Sequence, residues 1–485
     1  MMHFSQARRV HFVGIGGIGM SGIAEVLLTL GWPVSGSDLK PSPVTDRLAR
    51  LGARIYFGHA AENADGAEVV VVSSAVAADN PEVLAARAHK APVIPRAEML
   101  AELMRLKFGI AVAGMHGKTT TTSMIAHLLA AGGLDPTVVV GGRVDALGSN
   151  ARLGKSEYLV AEADESDRSF LSLSPILSVI TNLDREHLDC YRDLEDIQSA
   201  FVAFAQRVPF YGAVLIGGDE AAAREILPRI QRRVLTYGSE AGNELRVSDL
   251  RLEPWAVEFS LSATPAAAEF FQAAAQQPCP QELGRFRLKT PGRHNALNAT
   301  AAVAAGLLLG CELETIRAAI AEFGGVDRRF QRKGVVGGVT VVDDYGHHPT
   351  EIAATLAAAR SCGFGRIVMI FQPHRYTRTQ KLHQEFVRAL AAADQVILLD
   401  IYPASEAAIP GVTSAGLVAD LQAAGVAAEY APNAAAAVAR AIELAAPGDV
   451  ILTQGAGNVS ALAEKLLAGL KLRPTAVAQA AARRG

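Results

Sequence analysis

A glycine-rich segment with the residues needed to bind phosphate stands between an apolar, strand-like run and a stretch of good helix formers. Its residues are Gly114, Met115, His116, Gly117, Lys118, Thr119 and Thr120. Glycines let backbone N–H groups close around a phosphate, and the following helix N-terminus adds a partial positive charge. Lys118 would then reach the β- and γ-phosphates, while the Thr119 hydroxyl would bind a metal ion. A complete GxxxxGK[ST] loop has its first glycine where Val112 stands here, so an ordinary glycine-rich turn is the alternative. The order of strand, GKT and helix favours the phosphate loop over that turn.

A second glycine-rich segment follows the first predicted strand. It contains Gly14, Gly16, Gly17 and Gly19, and Asp38 ends the next predicted strand. This spacing is typical of a dinucleotide fingerprint in which the acidic residue binds a ribose hydroxyl. The glycines could instead serve only close packing of helix on strand. The pattern favours a nucleotide or pyrophosphate ligand and does not by itself indicate NAD.

Carboxylates and a histidine follow two further predicted strands. Residues 162–167 read EADESD, and residues 182–187 read NLDREH. The carboxyl ends of adjacent parallel strands are where ligands bind in open sheets, and hard carboxylate oxygens suit magnesium beside a phosphate loop. A solvated acidic loop with a capping aspartate is the alternative. It is weaker for Glu162 than for Asp164 or Asp167, because Glu162 continues the apolar strand.

Two arginines three residues apart, Arg375 and Arg378, follow a predicted strand in the last third of the chain. Their guanidinium groups can form a fork for a carboxylate or a phosphate. The pair His347 and His348 follows another strand end, but a metal site is not favoured because no third ligand stands at a suitable spacing.

The elements that position these residues follow an α/β pattern. Short β-branched runs alternate with Ala- and Leu-rich helical stretches, which predicts mainly parallel sheets covered by helices. A length of 485 residues corresponds to about three domains. We predict a Rossmann-like domain over residues 1–107, a P-loop ATPase-like domain over 108–326 and a second Rossmann-like domain over 327–485. The central sheet should include a few antiparallel strands around residues 246–262, and residues 263–283 are expected to be a surface insertion.

Composition excludes several other classes of protein. A net charge of −3 gives no electrostatic reason to bind nucleic acid, and no apolar run reaches the ~18 residues of a membrane span. The first residues lack an apolar signal core, so we expect a cytoplasmic enzyme without membrane insertion. The four cysteines form no CxxC pair and are expected to be free thiols: Cys190, Cys279, Cys311 and Cys362.

Taken together, these motifs resemble the Mur ligase family, whose members add amino acids to the nucleotide-linked precursor of peptidoglycan. Ten segments match in order over about 450 residues. They read HFVGIGGIGMSGIAE, VSSA, GKTTTT, EADESD, TNLDREHLD, GRHNALNAT, RRF, DDYGHHPTE, FQPHRYTRT and QGAGNVS. Two residues depart from the pattern of the most similar members: Met115 replaces a usual threonine, and Glu186 replaces a usual aspartate before His187.

The resemblance implies a reaction. ATP phosphorylates a substrate carboxylate, and an amine then attacks the acyl phosphate and releases phosphate. Among the family's members, the motifs are most similar to those that join L-alanine to UDP-N-acetylmuramate. A peptide-recycling member that joins a whole peptide to the same nucleotide sugar is the main alternative. A dehydrogenase would explain the loop at Gly14 but would leave the loop from Gly114 to Thr120 without a role. A P-loop kinase would not explain the arginine fork, and a nucleotide-sensing module would bind ATP without releasing phosphate.

The resemblance also implies roles for individual residues. The phosphate loop is expected to bind ATP together with Asn295, Asn298, Arg329 and Asp344. One magnesium ion is expected on Thr119, and another on Glu162 and His187. The UDP-sugar is expected to contact Gly16, Gly17, Gly19, Asp38, His59, Ser73, Ser74 and Arg96. Amino-acid binding is assigned to Tyr345, His374, Arg375 and Arg378, and the catalytic roles to Lys118, His187, His348 and Arg375. A monomer or a dimer is expected.

Overall fold

The computed structural model describes residues 8–73, 75–144, 149–186, 190–404 and 406–473. These residues divide into two compact units. The first contains the chain up to Asp249, with Phe259–Arg287 and Ala296–Phe323, and the second contains Leu250–Glu258, Leu288–Asn295 and the chain from Gly324 onward. Three sheets, each with its own helices, make up the fold, in agreement with the predicted three-domain α/β architecture. The exact domain boundaries stay a prediction.

The first sheet has five parallel strands in the order β3-β2-β1-β4-β5. The strands are β1 (Val10–Val13), β2 (Val34–Asp38), β3 (Arg54–Phe57), β4 (Val69–Val72) and β5 (Val93–Pro95). The helices are α1 (Ile18–Thr29), α2 (Pro43–Arg50), α3 (Pro81–Ala88) and α4 (Arg96–Arg105). The strand order reverses between β1 and β4, so the glycine-rich loop after β1 lies at the switch point where such sheets bind ligands.

The second sheet has ten strands in the order β15-β14-β13-β12-β11-β10-β6-β9-β7-β8. The strands are β6 (Phe108–Ala113), β7 (Thr137–Val144), β8 (Ser149–Arg152), β9 (Tyr158–Glu162), β10 (Leu177–Ile180), β11 (Ala213–Gly217), β12 (Val234–Gly238), β13 (Leu245–Glu253), β14 (Ala256–Ala263) and β15 (Glu282–Leu288). The helices are α5 (Lys118–Ala131), α6 (Leu194–Ala205), α7 (Ala221–Ile226), α8 (Pro265–Ala275), α9 (Arg293–Leu308) and α10 (Leu313–Glu322). β10, β6 and β9 are adjacent and parallel, so their carboxyl ends bring the phosphate loop and both acidic segments to one edge.

Residues 263–283, predicted as a surface insertion, form regular structure. Thr264 caps the N-terminus of α8, and Ala267, Ala268 and Phe271 are buried on one face of this helix. The buried positions follow helical spacing, and most of the remaining positions of α8 are exposed. The antiparallel strands expected around residues 246–262 correspond to β13 and β14, which are neighbours joined by a two-residue turn.

The third sheet has six strands in the order β16-β17-β21-β18-β19-β20, of which only β16 is antiparallel to its neighbour. The strands are β16 (Gln331–Val336), β17 (Val339–Asp344), β18 (Ile367–Phe371), β19 (Gln395–Leu398), β20 (Ala428–Tyr430) and β21 (Val450–Gln454). The helices are α11 (Pro349–Ser361), α12 (Tyr376–Lys381), α13 (His383–Leu390), α14 (Ser414–Ala423), α15 (Ala434–Leu444) and α16 (Leu462–Leu472). Successive strand residues alternate between two cores, as Val341 and Val342 show, so both faces of this sheet are covered.

Among the described residues, no helix is long and apolar enough to span a membrane. The segment from residue 474, which the sequence predicts to fray, lies outside the described residues.

Candidate active site

The phosphate loop follows β6 and turns sharply into α5. Gly114 has φ +129° and Gly117 has φ +82°, in the region that favours glycine. A Cβ on Gly114 would lie 2.1 Å from Thr181 Oγ1, and one on Gly117 would lie 2.6 Å from Asn298 Oδ1. Both positions therefore require glycine for backbone conformation and for space. Met115 packs its side chain into the core and its N–H donates to Asn182 O at 3.4 Å, so the residue that replaces a threonine here is held by the protein itself.

Lys118 is the first residue of α5, and its ammonium group contacts three acceptors. Nζ donates to Gly114 O at 2.7 Å, to Met115 O at 3.1 Å and to Glu165 Oε1 at 2.7 Å. Burial opposes the charged form of Lys118, but the carboxylates of Glu165, Glu162 and Glu186 outweigh burial and raise its pKa. Lys118 is consequently a fixed cation at the position where a phosphate loop needs one.

A pair of oxygen ligands lies beside this lysine. Thr119 Oγ1 donates to Glu162 Oε2 at 2.9 Å, and Thr119 is buried. A hydroxyl and a carboxylate at the mouth of a phosphate loop are the hard oxygen donors that Mg²⁺ prefers. These two residues therefore fit a magnesium site. His187, which is predicted to hold a second magnesium ion together with Glu162, lies outside the described residues.

The segment after β10 supports the phosphate loop from one side. Asn182 Oδ1 accepts from His116 N at 2.9 Å, while Thr181 Oγ1 and Asn182 Nδ2 both donate to His116 O, at 2.6 and 2.9 Å. His116 Nε2 lies 3.2 Å from Asp184 Oδ2. His116 is thus held through both backbone and ring, which fixes the middle of the loop.

The glycine loop after β1 is closed by Asp38. Its Oδ2 accepts from Gly16 N at 2.8 Å, and a Cβ on Gly16 would lie 2.7 Å from the same oxygen. At the other end of the loop, a Cβ on Gly19 would lie 2.8 Å from a guanidinium nitrogen of Arg96. Arg96 also contacts Asp164, with Nη2 3.5 Å from Oδ2. The predicted UDP-sugar residues Gly16, Gly19, Asp38 and Arg96 therefore lie together at the carboxyl edge of the first sheet.

A buried carboxylate lies beside His59, another predicted UDP-sugar residue. Glu82 is fully buried and accepts from Ser37 Oγ at 2.6 Å and from Asn63 Nδ2 at 2.7 Å. Its carboxylate also lies 3.4 Å from His11 Nε2 and 3.5 Å from His59 Nδ1. Burial alone would raise the pKa of the Glu82 carboxyl, but the hydrogen bonds from His11, Ser37 and Asn63 outweigh burial and lower it to about 2.

In the second unit, four rings form a continuous series at the carboxyl edge of the third sheet. The Tyr345–His347, His347–His374 and His374–Tyr402 centroids are each 5.5 Å apart, and the last pair is stacked with an interplanar angle of 8°. Burial lowers the pKa of the His374 imidazole to about 3, and His347 and the neighbouring arginines act in the same direction. His374 is therefore neutral near pH 7.

The arginine fork adjoins this series. Arg378 Nη1 lies 3.4 Å from His374 Nδ1. Arg375 has φ +71°, an unusual conformation for a residue with a side chain, and its N–H donates to Tyr402 O at 2.8 Å. Such strain is commonly found at functional residues. Because His374 is neutral, the positive charge available for a carboxylate ligand comes from the arginines.

Asp344 lies on the same edge, but internal groups occupy its carboxylate. Oδ2 accepts from Phe330 N at 2.8 Å, and Oδ1 accepts from Gly346 N at 2.7 Å, Thr355 Oγ1 at 3.2 Å and Gln454 Nε2 at 3.1 Å. Burial raises the pKa of the Asp344 carboxyl. Asp344 orders the loop after β17, and its contact with an ATP ribose stays a prediction.

Three further predicted residues also have local structural contacts. Asn295 is buried and donates from Nδ2 to Pro291 O at 2.8 Å. His348 caps the N-terminus of α11. The Arg329 guanidinium lies 5.1 Å from the centre of the Tyr345 ring. These contacts fix the side chains in place, and their ligand contacts remain predictions.

Comparison of the chain with models of known protein families identifies the family to which it belongs. Three family models match consecutive parts of the chain: "Mur ligase family, catalytic domain" over residues 9–108, "Mur ligase middle domain" over 112–306 and "Mur ligase, glutamate ligase domain" over 328–457. The chain belongs to the Mur ligase family. The three matches fall in turn on the three sheets.

Individual Mur ligases are similar along almost the whole chain. A UDP-N-acetylmuramate–L-alanine ligase from Acidobacterium capsulatum is 59% identical over 470 residues, covering 97% of this chain and 99% of its own. A ligase of the same name from Koribacter versatilis is 57% identical over 479 residues, covering 98% of this chain and 99% of its own. The crystal structure of UDP-N-acetylmuramate-alanine ligase from Thermotoga maritima matches with a TM-score of 0.77 at 28% identity, covering 96% of this chain and 99% of its own.

For this Mur ligase, the structure brings most of the predicted residues to the carboxyl edges of the sheets. Ser73 follows β4 as expected, whereas Ser74, like His187, lies outside the described residues. Sequence reasoning did not select Glu165, the partner of Lys118, although it stands in the EADESD segment. His347 was considered only as part of a disfavoured metal site, and Tyr402 beside His374 and Glu82 beside His59 were missed. The sequence gives no signal for Glu82, because it is far along the chain from its partners.

Proposed function

We propose that this Mur ligase joins L-alanine to the carboxylate of UDP-N-acetylmuramate, converting ATP to ADP and phosphate. Relatives named for this reaction are 50–59% identical over at least 96% of the chain. The observation that supports the chemistry most directly is the partly buried Lys118 at the start of α5, with Thr119 and Glu162 beside it. The main alternative, a peptide-recycling ligase, shares this chemistry and differs in the amine.

The proposed reaction has two steps. A carboxylate oxygen of UDP-N-acetylmuramate attacks the γ-phosphorus of ATP, the bond to the bridging oxygen breaks, and ADP leaves. The amine of alanine then attacks the acyl carbon, loses a proton, and expels phosphate as the amide forms. A free carboxylate is a poor acyl donor, and phosphorylation converts one of its oxygens into a leaving group.

The residues of the phosphate loop support the first step. Backbone N–H groups at the N-terminus of α5 surround the phosphates, and Lys118 offsets the negative charge that shifts during transfer. Thr119 would hold one magnesium ion, and Glu162 and His187 would hold another. When bound, magnesium neutralises phosphate charge as a Lewis acid. Asn295, Asn298, Arg329 and Asp344 are proposed to contact the rest of ATP.

Two further groups of residues hold the other substrates in this proposal. The loop after β1, together with Asp38, His59, Ser73, Ser74 and Arg96, binds the UDP-sugar. Arg375 and Arg378 bind the alanine carboxylate, while Tyr345, His374 and His348 orient the amino acid. The neutral His374 suits this role, because it adds no charge that would repel the ammonium group of the substrate.

The test is phosphate release from ATP with each substrate omitted in turn. We expect rapid release only with both UDP-N-acetylmuramate and L-alanine, and a product that carries one alanine by mass. Faster release with the peptide L-alanyl-D-glutamyl-diaminopimelate than with alanine would identify the recycling ligase. ATP binding without any substrate-dependent release would indicate a nucleotide-sensing protein.

A further inference from the structure

The contacts of Lys118 within the protein leave its ammonium group fully occupied. A lysine ammonium has three N–H donors. Here they reach Gly114 O, Met115 O and Glu165 Oε1, all within 3.1 Å. Contact between Lys118 and a phosphate therefore requires the exchange of one of these acceptors.

Glu165 is the acceptor whose exchange matters most, because it carries the only negative charge of the three. Its side chain is 1% exposed, and Lys118 is 16% exposed. An ion pair in such surroundings is strong, since little water screens the two charges.

The backbone around Glu165 holds this carboxylate in place. Tyr191 OH donates to Glu165 O at 2.6 Å, and Arg168 N donates to the same oxygen at 3.1 Å. Tyr191 itself is buried, and the Arg168 guanidinium lies 4.6 Å from the centre of its ring. The carboxylate is consequently fixed beside the phosphate loop and does not swing in from solvent.

We propose that Glu165 is a counter-ion that competes with the β- and γ-phosphates of ATP for Lys118. In the free protein, Glu165 holds the ammonium against the carbonyls of the loop. When ATP binds, one Lys118 N–H passes from Glu165 to a phosphate oxygen. The two anions then lie on opposite sides of one cation, so the Lys118–Glu165 pair weakens the binding of nucleotides that carry these phosphates. This inference depends on the proposed function, which places ATP on the loop.

The test compares the binding of ATP and AMP to the full-length protein by calorimetry, with Mg²⁺ present and UDP-N-acetylmuramate absent. AMP is the internal control, because it has no β- or γ-phosphate to reach Lys118. We expect Glu165→Gln to lower the Kd for ATP by about tenfold, the change expected when one charge-assisted hydrogen bond no longer competes. The Kd for AMP should stay within about twofold of wild type.

The matched variant is Asp167→Asn, which removes the same charge from the same loop at an exposed position. It should leave the ATP Kd unchanged. An unchanged or higher ATP Kd in Glu165→Gln, or a parallel change for AMP, would overturn the proposal. If Glu165→Gln does not fold, Glu165→Asp withdraws the carboxylate by one methylene and should change the ATP Kd in the same direction.

Failure of this inference can be distinguished from failure of the proposed function by Lys118→Ala. If Lys118→Ala binds ATP and ligates like the wild type, the phosphate-loop assignment is wrong. If Lys118→Ala is inactive while Glu165→Gln binds ATP like the wild type, only the competition between Glu165 and phosphate is wrong.

Discussion

Lys118 is the residue on which phosphoryl transfer depends most. It is the cation at the start of α5, and its contacts hold the ammonium group beside the turn formed by Gly114 and Gly117. Replacing Lys118 by alanine should lower kcat for ligation by at least about 10²–10³-fold, because a charge that acts on the transferring group is lost. The measurement is phosphate release under saturating substrates, with Lys155→Ala, an exposed lysine in the same unit, as the control. Near-normal turnover in folded Lys118→Ala would exclude the assigned role.

The buried carboxyl group of Glu82 leads to a second prediction for a single residue, which concerns stability in acid. Its pKa is lowered from 4.5 to about 2 in the folded protein, which corresponds to about 3 kcal/mol of stability. Because the folded pKa is below the unfolded one, this stability is present above pH 4.5 and is lost as the pH falls toward 2. The thermal midpoint of the wild type should therefore fall more steeply with acid than that of Glu82→Gln.

The control for Glu82→Gln is Glu62→Gln, which removes an exposed carboxylate from a segment that connects two strands of the same sheet. This variant should follow the wild-type pH dependence. If Glu82→Gln and the wild type lost stability in parallel between pH 5 and pH 3, the buried hydrogen bonds would not be the cause.

The phosphate loop and α5 together show why glycine is needed at specific positions of an element. Gly117 has φ +82° and faces Asn298, whereas Gly133, just after the end of the same helix, has φ +79° and open space around it. Alanine at either position should destabilise the protein by about 1–2 kcal/mol through its backbone conformation. Only Gly117→Ala should also raise the KM for ATP, because its Cβ displaces Asn298. Steady-state kinetics of the two variants checks this, and an equal change in KM would contradict it.

At the scale of elements, the sequence predicts strands and loops well where a short run of neighbouring residues specifies them. The strands that begin near Val10, Ile110 and Val450 are short, mainly apolar runs, and the glycine loops follow two of them directly. The partners of the site residues are harder to predict because they come from distant segments. Asp344 is the clearest case: its position at a strand end indicates a ligand contact, yet Phe330, Thr355 and Gln454 occupy its oxygens.

At the scale of the whole molecule, the enzyme should prefer L-alanine over similar amino acids by a limited factor. A pocket discriminates against one methylene or hydroxyl by only ~1–3 kcal/mol, so glycine and serine should react about 10–200-fold less efficiently than L-alanine. Arg378→Ala should raise the KM for alanine far more than the KM for ATP, because the arginine fork binds only the amino acid. A variant in which both KM values rise equally would contradict this separation of the two substrates.

The central claim is that the chain activates a carboxylate as an acyl phosphate, and the fate of one oxygen atom tests it most directly. UDP-N-acetylmuramate labelled with ¹⁸O in its carboxylate should be incubated with ATP and L-alanine, and the released phosphate analysed by mass spectrometry. Attack of the labelled carboxylate on the γ-phosphorus transfers one ¹⁸O to each phosphate released, while the alanine-containing product keeps the other. Released phosphate without ¹⁸O, alongside normal product formation, would show that the amide bond forms without an acyl phosphate.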